Sequence, residues 1–141
     1  MSKRIASLVL LLTFALAAFA QTAEKTFTKS FNTEGKGKIK LELPGAVDLK
    51  VWNNSTIRME IMVSMPSGNI SVLDQLANVG RYNLSAEAVG ETLLITAPNL
   101  AKVVRVKGEE IHETVSYVVF VPKDLEVEMH TAATALAEIK K

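Results

Sequence analysis

The stretch KIKLELPGAVDLKVWNNSTIRMEIMV, Lys38 to Val63, decides the fold class. Its apolar residues fall on every second position: Ile39, Leu41 and Leu43, then Val47, Leu49 and Val51, then Ile57, Met59, Ile61 and Val63. Alternation with a period of two places one face in a core and the other in water, the pattern of half-buried strands. Pro44-Gly45-Ala46 and Asn53-Asn54-Ser55 interrupt it with turn residues, because proline presets φ, glycine admits unusual dihedrals, and asparagine and serine hydrogen-bond their own backbone. The unit is strand, turn, strand, turn, strand. A simple hairpin about Pro44-Gly45-Ala46 would set Glu42 against Asp48 and Lys40 against Lys50. Like charges directly opposite are unfavourable, so the spacing favours an arch whose two strands join different sheets.

A shortened copy lies 78 positions further on, where VFVPKDLEVEMH, Val119 to His130, overlays LELPGAVDLKVW, Leu41 to Trp52, without a gap. Pro122 meets Pro44, Leu125 meets Val47, Val127 meets Leu49 and Met129 meets Val51. Continuing the overlay predicts a third strand from Ala135 to Ile139, cut short by the end of the chain; the alternative for HTAATALAEIKK is a short helix, since alanine and leucine favour one. Similar β-units that cannot bury an apolar face alone are expected to stack.

At the start, Lys3-Arg4 precede an apolar run from Ile5 to Phe19, and Ala18-Phe19-Ala20 supplies the small-x-small pattern before Gln21. That is the pattern of a secretory signal peptide over residues 1–20, leaving a single β domain over 21–141. The run is short for an uncleaved membrane anchor. Export is therefore expected, to a periplasmic, outer-surface or secreted location. The chain has no cysteine, so stability is expected from packing and strand pairing alone. The formal charge of +1 becomes −1 when Lys3 and Arg4 leave with the leader, and no charge field points to nucleic acid.

Further along, Lys25 to Phe31 reads as a strand with Phe27 and Phe31 on one face, and Asn32 to Gly37 as a loop. Ser71 to Val79 has helical spacing, with Val72, Leu73, Leu76 and Val79 on one side, Ser71 as cap and Gly80 as stop. Arg81 to Pro98 reads as a hairpin turning at Gly90-Glu91, which sets Ala88 against Leu93, Ala86 against Ile95 and Leu84 against Ala97 on one face fit for burial. Lys102 to Lys107 and Glu110 to Val121 are expected to pair across Gly108-Glu109. The fold class is all-β, of stacked strand units in a solenoid-like or sandwich arrangement, with one short helix.

Chemistry-bearing residues are few. There is no nucleophile elbow, phosphate-cradling glycine loop or calcium-loop pattern. Glu110 and His112 share a strand face, but two ligands do not make a transition-metal site, and a solvated outer face is the simpler reading. Glu113 falls on an otherwise apolar face, where burial would raise its pKa, or sits at the wet end of its strand. Trp52 and its repeat counterpart His130 should both point outward at strand ends, as candidate ligand-binding residues or as cover for the edge of the core. Asn53, Asn54, Asn69 and Asn83 begin glycosylation-type patterns, which matter only in a cell that glycosylates exported proteins.

The leader ending in Ala-Gln, the apolar-x-apolar-Pro-x-x-apolar-x-apolar-x-apolar units at Leu41 to Val51 and Val119 to Met129, and the Gly-x-x-Ile-x-Glu-x-Val-x-Tyr run at Gly108 to Tyr117 together resemble the bacterial secreted putative-adhesin family. That resemblance implies stacked β-units like the head of an autotransporter adhesin, and supplies no catalytic residues or cofactor. The expected function is that of a non-enzymatic envelope or surface protein, adhering or assembling through β-strand faces or edges. Its expected partners are a cell-envelope or surface protein, a polysaccharide, or a second copy met at a strand edge. The alternative is a periplasmic or secreted module that binds a glycan or protein at a patch around Trp52.

Overall fold

The computed structural model describes residues 22–66 and 68–131; residues 1–20, and the strand or helix expected near the C-terminus, lie outside them. The elements run β1 (Ala23–Asn32), β2 (Lys38–Leu43), β3 (Ala46–Trp52), β4 (Thr56–Met65), helix α1 (Ile70–Asn78), β5 (Ser85–Val89), β6 (Thr92–Thr96), a 3-10 turn (Pro98–Ala101), β7 (Arg105–Val106), β8 (Glu109–Glu110), β9 (Thr114–Pro122) and β10 (Glu126–Thr131). The first sheet has the order β1-β4-β9-β3, the second β10-β2-β6-β5, and β7-β8 form a small ribbon.

The alternating residues do what their period dictates. Ile57, Met59, Ile61 and Val63 of β4 and Tyr117, Val119 and Val121 of β9 meet Ile39, Leu41 and Leu43 of β2 and Leu93 and Ile95 of β6 in one buried cluster. Full burial of each such side chain contributes roughly 1.5–3 kcal/mol. The fold is all-β with one helix, and its two sheets pack as a sandwich. Edge strands are covered less well: Val51 on β3 and its repeat counterpart Met129 on β10 face inward yet remain 62% and 40% exposed.

Pro44-Gly45 is an arch, as the charge argument requires, and Lys123-Asp124 is a second one. β2 lies in the second sheet and β3 in the first, while β9 lies in the first and β10 in the second. The first strand of each arch pairs in parallel with the second strand of the other, β2 with β10 and β3 with β9. The repeat thus relates the two ladders by an approximate two-fold, with a slip: Leu41 lies beside Met129, but Val119 lies beside Leu49 rather than Val51. A slip of two keeps every side chain on its own face. In the first unit β4 lies beside β9; the corresponding place beside β2 is filled by β6. Gly45 is where the first arch crosses the start of β9, and a Cβ there would stand 2.0 Å from the Val115 carbonyl oxygen.

Three local expectations shift. The helix begins one residue earlier, at Ile70, because Asn69 rather than Ser71 caps it: Asn69, in extended conformation, accepts from the Ser71 N–H at 2.8 Å. Gly80 ends it at φ +84. The ribbon turns at Lys107-Gly108, one residue before the expected pair, since both residues adopt left-handed φ (52 and 83) and form the twist-matched two-residue turn. Arg105 therefore opposes Glu110, the Ile111 N–H donates to the Val104 carbonyl at 3.0 Å, and β9 begins only at Thr114. The β5–β6 hairpin has the expected register, Ala88 opposite Leu93 and Ala86 opposite Ile95. Yet all five residues of β5 are exposed, including Ala86 and Ala88 on the face expected to be buried. Phase was legible there; cover was not.

Candidate functional site

Trp52 ends β3 opposite Pro122, on the outer face of the first sheet. Its indole N–H donates to the Thr56 carbonyl at 2.8 Å across the Asn53–Ser55 turn, and its ring meets Phe120 at 5.4 Å between centroids. Arg58 lies over that phenyl ring at 5.9 Å and pairs with Glu60 at 3.3 Å. His130 stands opposite Glu42 on β10, on the outer face of the second sheet. The two repeat counterparts therefore point away from each other, and no single patch includes both. Around β2 the outer face is a charge ladder, with Lys38 at 3.2 Å from Glu128 and 3.8 Å from Glu126, and Lys40 at 3.2 Å from Glu42.

Glu110 and His112 are exposed, and among the described residues no three His, Cys, Asp or Glu side chains cluster for a metal. Glu113 goes inward. Its side chain is 5% exposed and Arg81, which it meets, is 8% exposed. Arg81 donates from Nε and Nη2 to Glu113 Oε1 at 2.9 and 2.5 Å, and from Nη1 to the Lys102 and Asn99 carbonyls at 2.8 and 3.3 Å. The Tyr82 hydroxyl donates to Glu113 Oε2 at 2.7 Å. Burial, then that hydrogen bond and the adjacent negative charge, hold the Tyr82 phenol well above its ordinary pKa. The network ties the residues after α1 to the chain entering β9 and to the carbonyls of Asn99 and Lys102. A charged residue on an apolar face was the signal for it, but the partner lies 32 positions earlier.

The chain between α1 and β5 has two roles. Tyr82 stacks on Phe27 of β1 at 5.4 Å, and a cleft of about 230 Å³ opens beside them, lined by Phe27, Ile61, Ala77, Tyr82 and Leu84 among others. Leu84 leads directly into β5. β5 is the last strand of its sheet, so among the described residues its far side has no neighbour. Gly90, at φ +59, and Glu91 make a two-residue loop, with Val89 paired to Thr92 as the closing pair. In such a hairpin the closing pair is hydrogen-bonded and alternate pairs face outward. The N–H and C=O of Ala86 and Ala88 therefore point away from β6. No lysine, proline or bulge blunts this edge, which carries a single charge, Glu87.

No family model matches the chain, and no curated protein does. A solved structure from Clostridium sporogenes, described as a "putative cell adhesion protein", is similar at 16% identity with a TM-score of 0.42. The match covers 77% of this chain and 46% of that one, so this chain spans less than half the length of its structural neighbour. No helix among the described residues is long and apolar enough to cross a membrane.

Proposed function

We propose that the protein is an exported, non-enzymatic envelope or surface protein that adheres or assembles by adding a partner's strand to β5. The observation that carries this reading is the bare edge: five residues exposed on both faces, with two outward-facing peptide units and no blunting device. The leader at residues 1–20 supports export. Glu113, the one inward carboxylate of the mature sandwich singled out for chemistry, is held by Arg81 and Tyr82, which supports a structural role for it.

The test is co-sedimentation of the chain from residue 21 to 141 with envelope fragments of the producing cell, alongside Ala88→Pro. Proline there removes an outward N–H without touching the β6 ladder. Retention of the parent chain and its loss in Ala88→Pro is the expected result. Equal retention of the two would remove β5 from the account.

The contiguous Trp52, Phe120 and Arg58 group favours a second reading, a ligand patch on the outer face of the first sheet. It predicts that polysaccharide quenches or shifts Trp52 fluorescence, and a flat titration counts against it.

A further inference from the structure

The chemistry around β5 also says which strand it takes. This step rests on the reading of β5 as the adhesive edge. Glu87 projects from the outer face of β5, between Ala86 and Ala88 on the inner one. A strand added beside it places one side chain against Glu87 and the two flanking side chains on the inner face. A second β5 lying antiparallel and centred would set Glu87 against Glu87, and like charges directly opposite are destabilising.

The inner face asks for something different. Ala86 and Ala88 are small and exposed, while their cross-strand partners Ile95 and Leu93 are buried. Side chains arriving beside the two alanines extend an apolar surface that β5 itself leaves thin. Beyond Leu84 lies the cleft of about 230 Å³, where Phe27, Tyr82 and Leu84 are joined by the polar Thr28, Lys29 and Asn83. Beside the two alanines large apolar residues gain by burial and small polar ones gain little.

From these placements we infer that β5 recognises an extended segment of another protein in which a basic residue is flanked on both sides by large apolar residues. The basic residue pairs with Glu87, the flanking residues cover Ala86 and Ala88, and backbone hydrogen bonds to those two alanines supply the sequence-independent part of the affinity. The motif reads the same in both directions, so it serves a parallel or an antiparallel addition alike.

The probes are three fluorescein-labelled, end-blocked peptides, STIKITS, STIEITS and STSKSTS, titrated by anisotropy against the chain from residue 21 to 141 at low salt. STIKITS should bind on the order of five-fold more tightly than STIEITS, the range that one opposite-charge pair exchanged for a like-charge pair allows. STSKSTS should bind more weakly than STIKITS. Glu87→Lys should reverse the order of STIKITS and STIEITS, and Ala88→Pro should abolish binding of both. Equal binding of the lysine and glutamate peptides, or an order unchanged in Glu87→Lys, overturns the inferred specificity; if envelope retention is still lost in Ala88→Pro, the adhesive edge stands without it. Undiminished binding of STIKITS to Ala88→Pro overturns both.

Discussion

β1 and β5 are edge strands of different sheets that share one side of the sandwich, and they are finished in opposite ways. β1 runs ten residues, its Lys25 forms an ion pair with Asp74 of α1, and its Phe27 is stacked under Tyr82. β5 runs five residues, all exposed, and among the described residues no strand pairs with its outer edge. The helix and the chain that follows it serve the first edge and pass the second by. An edge left bare while its neighbour is guarded is where strand addition is cheapest, because no existing contact must be broken. On this view, substitutions on the β1 side cost stability, and substitutions on β5 cost recognition.

The contrast breaks most sharply at the network that holds residues 81–84 in place. Glu113→Ala leaves the Arg81 guanidinium buried without its carboxylate and should cost about 3–5 kcal/mol, read as a fall in chemical-denaturation midpoint. Phe27→Ala, which removes a half-buried ring from the Tyr82 stack, should cost about 2 kcal/mol in the same assay. Asp74→Ala, breaking an ion pair that is more than a third exposed on each side, should cost less than about 1 kcal/mol. At the other end of the scale, Ala88→Pro should move stability by about 1 kcal/mol or less while removing strand addition. A large loss of stability in Ala88→Pro would show that β5 is structurally engaged, and the contrast would be gone.

Alkaline titration sharpens the same comparison. Burial pushes the Tyr117 phenol up to about 12, and Tyr82 is held high as well. In the unfolded chain both deprotonate near the ordinary value of about 10, so stability is intact below that pH and falls as pH rises past it toward the folded values. Tyr117→Phe should flatten the decline between about pH 10 and 12. It also removes a buried hydroxyl that has no hydrogen-bond partner among the described residues. An unchanged slope would mean that Tyr117 is already ionisable in the fold.

The legible parts of the fold were those set by near neighbours. Alternation at Ile39 to Val63 gave the faces, Glu42 and Asp48 argued the arch, and Gly90-Glu91 set the β5–β6 register. Which strands would lie together was less accessible, because β2 beside β10 and β3 beside β9 depend on residues far apart in the chain. Glu113 showed its oddity in sequence, whereas its burial depended on Arg81 and Tyr82, which carry no local sign of it. Ala86 and Ala88 kept the predicted phase but are exposed, and what covers an edge strand is set by elements distant in the chain. Trp52 looked like a recognition residue, and the reason its N–H is occupied sits only four positions on, at Thr56.

The crossed pairing of the two arches also bears on the order of events in folding. β2 is flanked by β10 and β6, and β3 has β9 as its sheet neighbour, so neither strand of the first arch can complete its ladder with the residues around it. Contacts of such long sequence separation make for slow folding, since the loop must close before the pairing rewards it. A chain emerging from its N-terminus leaves β2 unpaired until Thr92 to Thr96 arrives and β3 until β9 does, and the second side of β2 waits for Glu126 to Thr131. Lateness of this kind is what the proposed export would draw on, since a chain threaded through a membrane closes its sandwich only on the far side.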